Sequence, residues 1–299
     1  MSTPISHPTA TETANLATPA TETANLANAT SATANSATAS ATAFLESLDA
    51  RRPPRLGGFS STLVRLELLR KLRNRRTLIF TMVMPAIFYL IFGLTNRGQM
   101  LGNTDAALYI SVSLATYGAM VATTTGGAQV AVERALGWSR QLALTPLHPA
   151  AYIITKVLVS MVLGAMSVIV VFGLTAVTGV HAPLGTMVVC GLLIVLTSSV
   201  FAAFGVMLGY LLPAENAIQI SSMVLGIFSL IGGLFVPLEI WPHTLQTIAH
   251  FTPAYGVGEI ARAPLGGGYD QWAVVNVIAW LAIFVAGAAW ALRRDTSRV

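Results

Sequence analysis

The sequence predicts an all-α membrane protein with six transmembrane helices, an N-terminal amphipathic interfacial helix and an outer re-entrant hairpin between spans five and six. Three observations carry this expectation. Only 10% of the 299 residues are charged and 54% are hydrophobic, whereas a soluble domain carries roughly 25% charge. Long stretches contain no Asp, Glu, Lys or Arg: 77–96, 106–132, 157–214, 216–238 and 271–292. The net charge is +5, but the basic residues lie at the edges of these stretches, where the positive-inside rule places them, so they do not indicate a nucleic-acid partner.

Residues 1–50 form an expected disordered, low-complexity tail. The decapeptide at 10–19 recurs almost unchanged from 20, and Ala, Thr, Ser and Asn follow. One Leu per copy buries too little to offset the entropy of ordering, and two copies are too few for a solenoid. Residues 1–43 hold no Lys or Arg and no apolar core, so they do not read as a signal peptide.

Residues 51–76 read as a basic amphipathic connecting helix. Nine basic residues stand against one acid, Glu67. Leu63, Leu66, Leu69 and Leu72 recur at helical spacing, with Val64 and Leu68 widening the stripe. Such a helix lies in the headgroup plane, Leu side down and arginines on anionic lipid.

The six-span domain is expected over 77–293, with a short cytoplasmic tail at 294–299. The 58-residue uncharged stretch is too long for one crossing and divides at Gly179-Val-His181-Ala-Pro183. The spans then fall at about 78–95, 107–130, 154–178, 185–211, 217–236 and 272–292, each near the ~20 residues a bilayer requires. Residues 240–258 are also uncharged, but Pro242, His243, His250 and Pro253 fit an interfacial or re-entrant hairpin better than a seventh span. With both termini cytoplasmic, the collar, Arg134, Arg140, Lys156, Arg293, Arg294 and Arg298 lie inside, and only Arg97 and Arg262 lie outside.

Much familiar chemistry is missing. A phosphate loop needs Gly-Lys-Ser/Thr, but Lys71 follows Arg70 and Lys156 follows Thr155, so the chain is expected to have no ATPase site. No acidic or basic residue is expected at mid-membrane depth, which counts against a proton-driven carrier. The single cysteine, Cys190, excludes a disulfide framework. No residue pattern suggests a catalytic centre, a metal site or a bound cofactor. The spans do carry hydroxyls. Ser111, Thr116, Thr123, Ser198 and Ser222 are candidates for a weakly polar pathway lining, against the alternative that they are helix-packing positions like Gly205 and Gly209.

The loop between spans two and three reads Glu133-Arg-Ala-Leu-Gly137-Trp-Ser-Arg140-Gln-Leu142-Ala-Leu144-Thr145-Pro146-Leu147-His-Pro149. With the basic collar before span one, six spans and the later segment Gly232-Gly-Leu-Phe-Val-Pro237-Leu-Glu239-Ile-Trp-Pro242, continuing to Phe251-Thr-Pro253, Glu259 and Arg262, it resembles the ABC-2 type permeases of bacterial ATP-binding-cassette exporters. The likeness covers about 59–293 and is nearest to the drug, antibiotic and lipid exporters.

The resemblance implies a bacterial plasma-membrane subunit that forms the path for an amphipathic or lipid-like substrate. A separate ATP-binding-cassette subunit would supply hydrolysis, and a second permease chain would complete a homodimer or heterodimer among membrane lipids. Glu133, Arg134, Gly137, Arg140, Leu142, Thr145 and Pro146 would belong to a coupling helix at 133–147, with the collar helix and Pro213-Ala-Glu215-Asn216 as further contacts. Pro237, Glu239, Pro253, Glu259 and Arg262 would form the outer hairpin. The alternatives are an ATP-independent channel or secondary carrier, and a membrane-embedded enzyme, for which no constellation stands out.

Overall fold

The computed structural model describes residues 31, 36–44, 59–101, 104–137, 149–180, 182–266, 268 and 270–296. The chain divides into two units, Met1–Pro53 and Pro54–Val299. In the first, residues 36–44 are helical and exposed, although they lie inside the stretch expected to be disordered. Alternating alanines supply the propensity, and Thr42 Oγ1 donates to the carbonyls of Thr38 and Ala39.

Among the described residues, the regular structure of the second unit is helical apart from one two-stranded hairpin. Helix α1 (Ser61–Leu72) begins where Ser60 Oγ accepts from Thr62 N–H, and it ends at Arg73. Of the expected 51–76, residues 51–58 lie outside the described residues; the described part breaks at Arg73–Asn74, after which α2 (Arg75–Phe88) starts separately. Helix α2 runs on as a π-helical turn, Tyr89–Gly93, and stays helical to Thr95. Strands β1 (Met100–Leu101) and β2 (Thr104–Asp105) pair antiparallel, and the Asp105 carboxylate then caps α3 (Ala106–Ala135) through Ala107 N–H. After α3 come α4 (Pro149–Val177), α5 (Leu184–Thr197), α6 (Ser199–Leu211), α7 (Ala214–Ile231), α8 (His243–His250), α9 (Pro253–Arg262) and α10 (Gln271–Thr296).

Among the described residues, five helical segments are long and apolar enough to cross a membrane: α3, α4, α5 with α6, α7 and α10. The apolar part of α2, Thr81–Gly93, is shorter. The expected span 185–211 is interrupted at Ser198. Three successive hydroxyls bond back to their own helix, Thr197 Oγ1 to Leu193 O, Ser198 Oγ to Val195 O and Ser199 Oγ to Leu196 O. Such back-bonding competes with the helical ladder and bends it.

Burial is inverted relative to a soluble protein. Ile79, Ile87, Ile91, Leu184, Val188, Leu192, Met223, Ile227, Ile278 and Ile283 are exposed, while Ser111, Thr116, Thr123, Ser160, Ser167, Thr175 and Ser221 are buried. Apolar exposure on this scale marks a surface that meets lipid. Inside, the hydroxyls of Thr116, Thr123, Ser160 and Ser221 bond to their own helix carbonyls, and Ser111 bonds to Thr175 at 2.5 Å.

Helix α3 is the hub, packed against α2, α4, α6 and α7. Its small residues permit this. A Cβ on Gly127 would lie 2.6 Å from Ala202 O and Val206 N, and one on Gly209 would lie 3.1 Å from Gly127 O. Gly205 presses on the Thr124 backbone. Close backbone approach through small residues is how helices associate where lipid removes the hydrophobic drive.

Side-chain contacts sort the helix ends into two sets. One end joins α1, the close of α3, the start of α4 and the close of α6. The other joins Arg97 to Gly179 O and Thr104 to Leu265 O, beside α8 and α9.

Candidate functional site

The α1 end of the bundle holds a buried ion network. Glu133, in the last turn of α3, is 7% exposed, and Lys156, in the second turn of α4, is 4% exposed. Lys156 Nζ donates to Glu133 Oε1 at 2.5 Å and also to Glu67 Oε1 of α1. Arg70 Nη2 donates to Glu67 at 2.7 Å and to Glu133, whose second oxygen accepts from Tyr152 O–H. Two carboxylates thus staple three helices together. A buried charge of this kind is tolerated only when paired and hydrogen-bonded.

Lys71 is the surplus cation. It is 6% exposed, and its Nζ has no hydrogen-bond partner. Burial pushes its ammonium down from the ordinary 10.5 to about 8, Lys156 and Arg70 add repulsion, and Glu67 and Glu133 only partly oppose this. The folded pKa lies below the unfolded one, so the unfolded chain binds more protons between the two values. Stability is therefore lowest below about pH 8 and climbs towards pH 10.5, by an amount on the order of 3 kcal/mol. Purified protein should gain melting temperature between pH 8 and 10. Lys71→Met should flatten that rise and melt higher than wild type at pH 7; an unchanged pH profile would remove Lys71 as its source.

Arg134 points the other way from Glu133. Its Nη1 donates to Gly209 O at 3.1 Å and Tyr210 O at 3.0 Å, and its guanidinium sits over the Tyr210 ring. It thereby satisfies carbonyls that the last turn of α6 leaves open. Gly137, with φ of +75°, terminates α3 by returning its N–H to Arg134 O.

Of the expected coupling helix at 133–147, only residues 133–137 are described. Glu133 and Arg134 belong to α3, whose register continues past the apolar span because buried partners on α1, α4 and α6 hold them. Lys156, near the start of the expected span 154–178, lies in the second turn of α4, which starts at Pro149. Arg140, Leu142, Thr145 and Pro146 lie outside the described residues.

The hydroxyl candidates separate into two groups. Ser111, Thr116, Thr123 and Ser198 are buried between helices, the last three bonded to their own helix carbonyls. Ser222 is exposed on α7.

At the opposite end, Pro237 precedes a short 3-10 turn, Leu238–Ile240, which includes Glu239. Pro253 opens α9 behind the cap Thr252, whose Oγ1 accepts from Tyr255 N–H. Arg262 is 5% exposed; it pairs with Glu259 at 2.6 Å, donates to Ser113 Oγ of α3 at 3.0 Å, and covers the Tyr109 ring. Helix α10 ties down the α8–α9 turn. Trp272 Nε1 and Asn276 Nδ2 donate to His250 O, and Trp280 Nε1 donates to Phe251 O. Tyr255 O–H donates to Asp270, and burial with that bond raises its pKa.

Sequence reasoning missed Glu67, Lys71, Tyr152 and Lys156 as a unit. The signal was present as charge at the margins of apolar helices, but pairing across sequence separations of 89 and 23 residues is not visible in spacing.

Comparison with known proteins fits this architecture. The chain is similar to the transport permease YvfS of Bacillus subtilis (strain 168), at 26% identity over 233 residues, 77% of this chain and 95% of the relative. Residues 60–265 match the ABC-2 type transporter family. The match starts at the cap of α1, includes the ion network and ends past Arg262, so the chain belongs to the ABC-2 type transporter family and is a multi-pass membrane transport permease.

Proposed function

We propose that the chain is the membrane-spanning subunit of an ATP-binding-cassette exporter. It would form the path for an amphipathic or lipid-like substrate while a separate subunit hydrolyses ATP. In this reading α2 is the sixth crossing, α1 lies along the inner membrane surface with Leu66 and Leu69 towards lipid, and α8–α9 form the outer re-entrant hairpin. Both termini are cytoplasmic in a bacterial plasma membrane, and a second permease chain completes the path.

The observation that carries this is the Glu133 network. It sits directly before segment 138–148 and fastens α1, α3 and α4 into one block. Force applied to that segment by an ATPase subunit therefore moves three helices as a body, the rigid-body type of transition that couples remote sites. Leu142 and its neighbours would seat in the ATPase groove.

Leu142→Asp should leave membrane insertion intact while separating ATP hydrolysis from transport in proteoliposomes containing both subunits. Wild-type transport by this variant would overturn the coupling role. Vigorous transport by the permease alone, with no ATPase subunit, would favour the channel or secondary-carrier reading.

A further inference from the structure

Helix α3 is gripped by polar contacts near both ends. At one end Glu133 is bonded to Lys156 of α4 and Arg70 of α1. At the other, the buried Arg262 of α9 donates to Ser113 Oγ at 3.0 Å, lies over the Tyr109 ring at 4.8 Å and pairs with Glu259 at 2.6 Å. Its Nη1 also lies 3.5 Å from Gly233 O, where the chain leaves α7. Gly258 makes room for the guanidinium, since a Cβ there would meet Nη1 at 3.2 Å.

Between the two grips runs one unbroken helix without proline. Ser113 and Glu133 are about 30 Å apart along its axis, at a rise of roughly 1.5 Å per residue. The close approach to α6 falls near the middle of that length. Gly205 abuts the Thr124 backbone, and a Cβ on Gly127 would meet Ala202 O and Val206 N at 2.6 Å. Thr124 leaves about 14 Å of helix towards Glu133 and about 16 Å towards Ser113. The Gly126–Gly127 pair is weak by helix propensity, but it is braced on two sides. Ser160 of α4 occupies the side-chain space at Gly126, and the α6 main chain occupies that at Gly127. Helix α3 is therefore a stiff arm held against α6 at its waist. A sideways push at one end carries the other end in the opposite sense.

We propose that Arg262 is a positioning residue for transport: it grips the outer part of α3 and delivers the tilt of that helix to α8–α9. The proposal deepens the exporter reading and rests on it for the driving stroke, the force entering at segment 138–148. A guanidinium suits the task. Its charge-assisted bonds are directional and reach α3 and α9 together, whereas apolar side chains slide past one another. The α8–α9 turn is tied separately to α10 through Trp272, Asn276 and Trp280. The hairpin thus meets α3 and α10 at different points, and displacement of α3 relative to α10 reorients it.

The test follows amide hydrogen exchange by mass spectrometry on the full chain in phospholipid nanodiscs, with no ATPase subunit. Glu133→Gln loosens the inner grip and should speed exchange across 243–262 at least threefold, while 184–197 of α5 stays within about 1.5-fold. In an Arg262→Met background the same change should speed 243–262 by less than about 1.5-fold. Arg262→Lys, which keeps the charge, should restore at least half of the response. Independent sites this far apart act additively, so non-additivity is a signature that a merely structural Arg262 lacks. Tyr152→Phe and Ser113→Ala, each removing one hydroxyl, form a gentler cycle should the first pair misfold, with the same pattern at smaller amplitude. No acceleration, equal acceleration with and without Arg262, or acceleration shared by α5 overturns the proposal. Such a failure leaves the exporter reading standing, because no ATPase subunit takes part; failure of that reading shows instead as wild-type transport by Leu142→Asp.

Discussion

Glu133→Ala is expected to destabilise the folded bundle by about 3–5 kcal/mol, the usual cost of breaking a buried ion pair from one side. The loss is large because Glu133 serves three donors. Without it, Lys156, Arg70 and Lys71 crowd around Glu67 alone, and Tyr152 loses its acceptor. Lys156 cannot escape to solvent, since its side chain is 3% exposed. A fluorescent fusion analysed by size-exclusion chromatography after graded heating should show the monodisperse peak lost at distinctly lower temperature. Glu133→Ala/Lys156→Met should recover part of that loss, because both members of the pair are then gone and the cycle isolates their coupling. If Glu133→Ala alone melts with wild type, the network does not hold the α1 end together.

Gly205→Val should separate α3 from α6 and leave little correctly assembled protein in the membrane. A Cβ at this position falls on the Thr124 backbone, and the reciprocal contact at Gly127 is equally closed. A neighbouring side chain could rotate away, but these are main-chain atoms in the middle of two long helices. The cost therefore begins at the roughly 1–3 kcal/mol typical of overpacking, and Gly205→Ala should show the same sign with smaller size. Gly226 provides the contrast, because nothing lies within 4 Å of a Cβ there. Gly226→Ala should be neutral or gain up to about 1 kcal/mol through helix propensity. Equal behaviour of the Gly205 and Gly226 variants would refute the close-packing account of the α3–α6 seam.

Legibility of the fold followed the physics of each signal. Charge-free stretches locate the apolar helices, because excluding ionised groups from hydrocarbon is a strong and local rule. It is silent about where a helix continues once it leaves lipid. Helix α3 runs to Ala135 and α4 starts at Pro149, so Glu133 and Arg134 continue α3 beyond the expected span 107–130, and α4 begins five residues before the expected 154. The collar was legible as basic and helical. Its inward side was not, since Glu67 and Lys71 look like ordinary solvated charges until α4 is packed against them.

The sequence by itself determined that the chain lives in a membrane, roughly where its apolar helices fall, and that it carries no phosphate-loop motif of its own. Hydropathy, positive charge at the margins and motif residues act through neighbours in the chain. Tertiary structure alone decided that two carboxylates join α1, α3 and α4, that Gly127 and Gly205 bring the backbones of α3 and α6 together, and that Arg262 reaches across to Ser113 and the Tyr109 ring of α3. Those features arise from contacts between residues far apart in sequence. Their energies depend on burial and on distances of a few ångströms, which only the packed bundle sets.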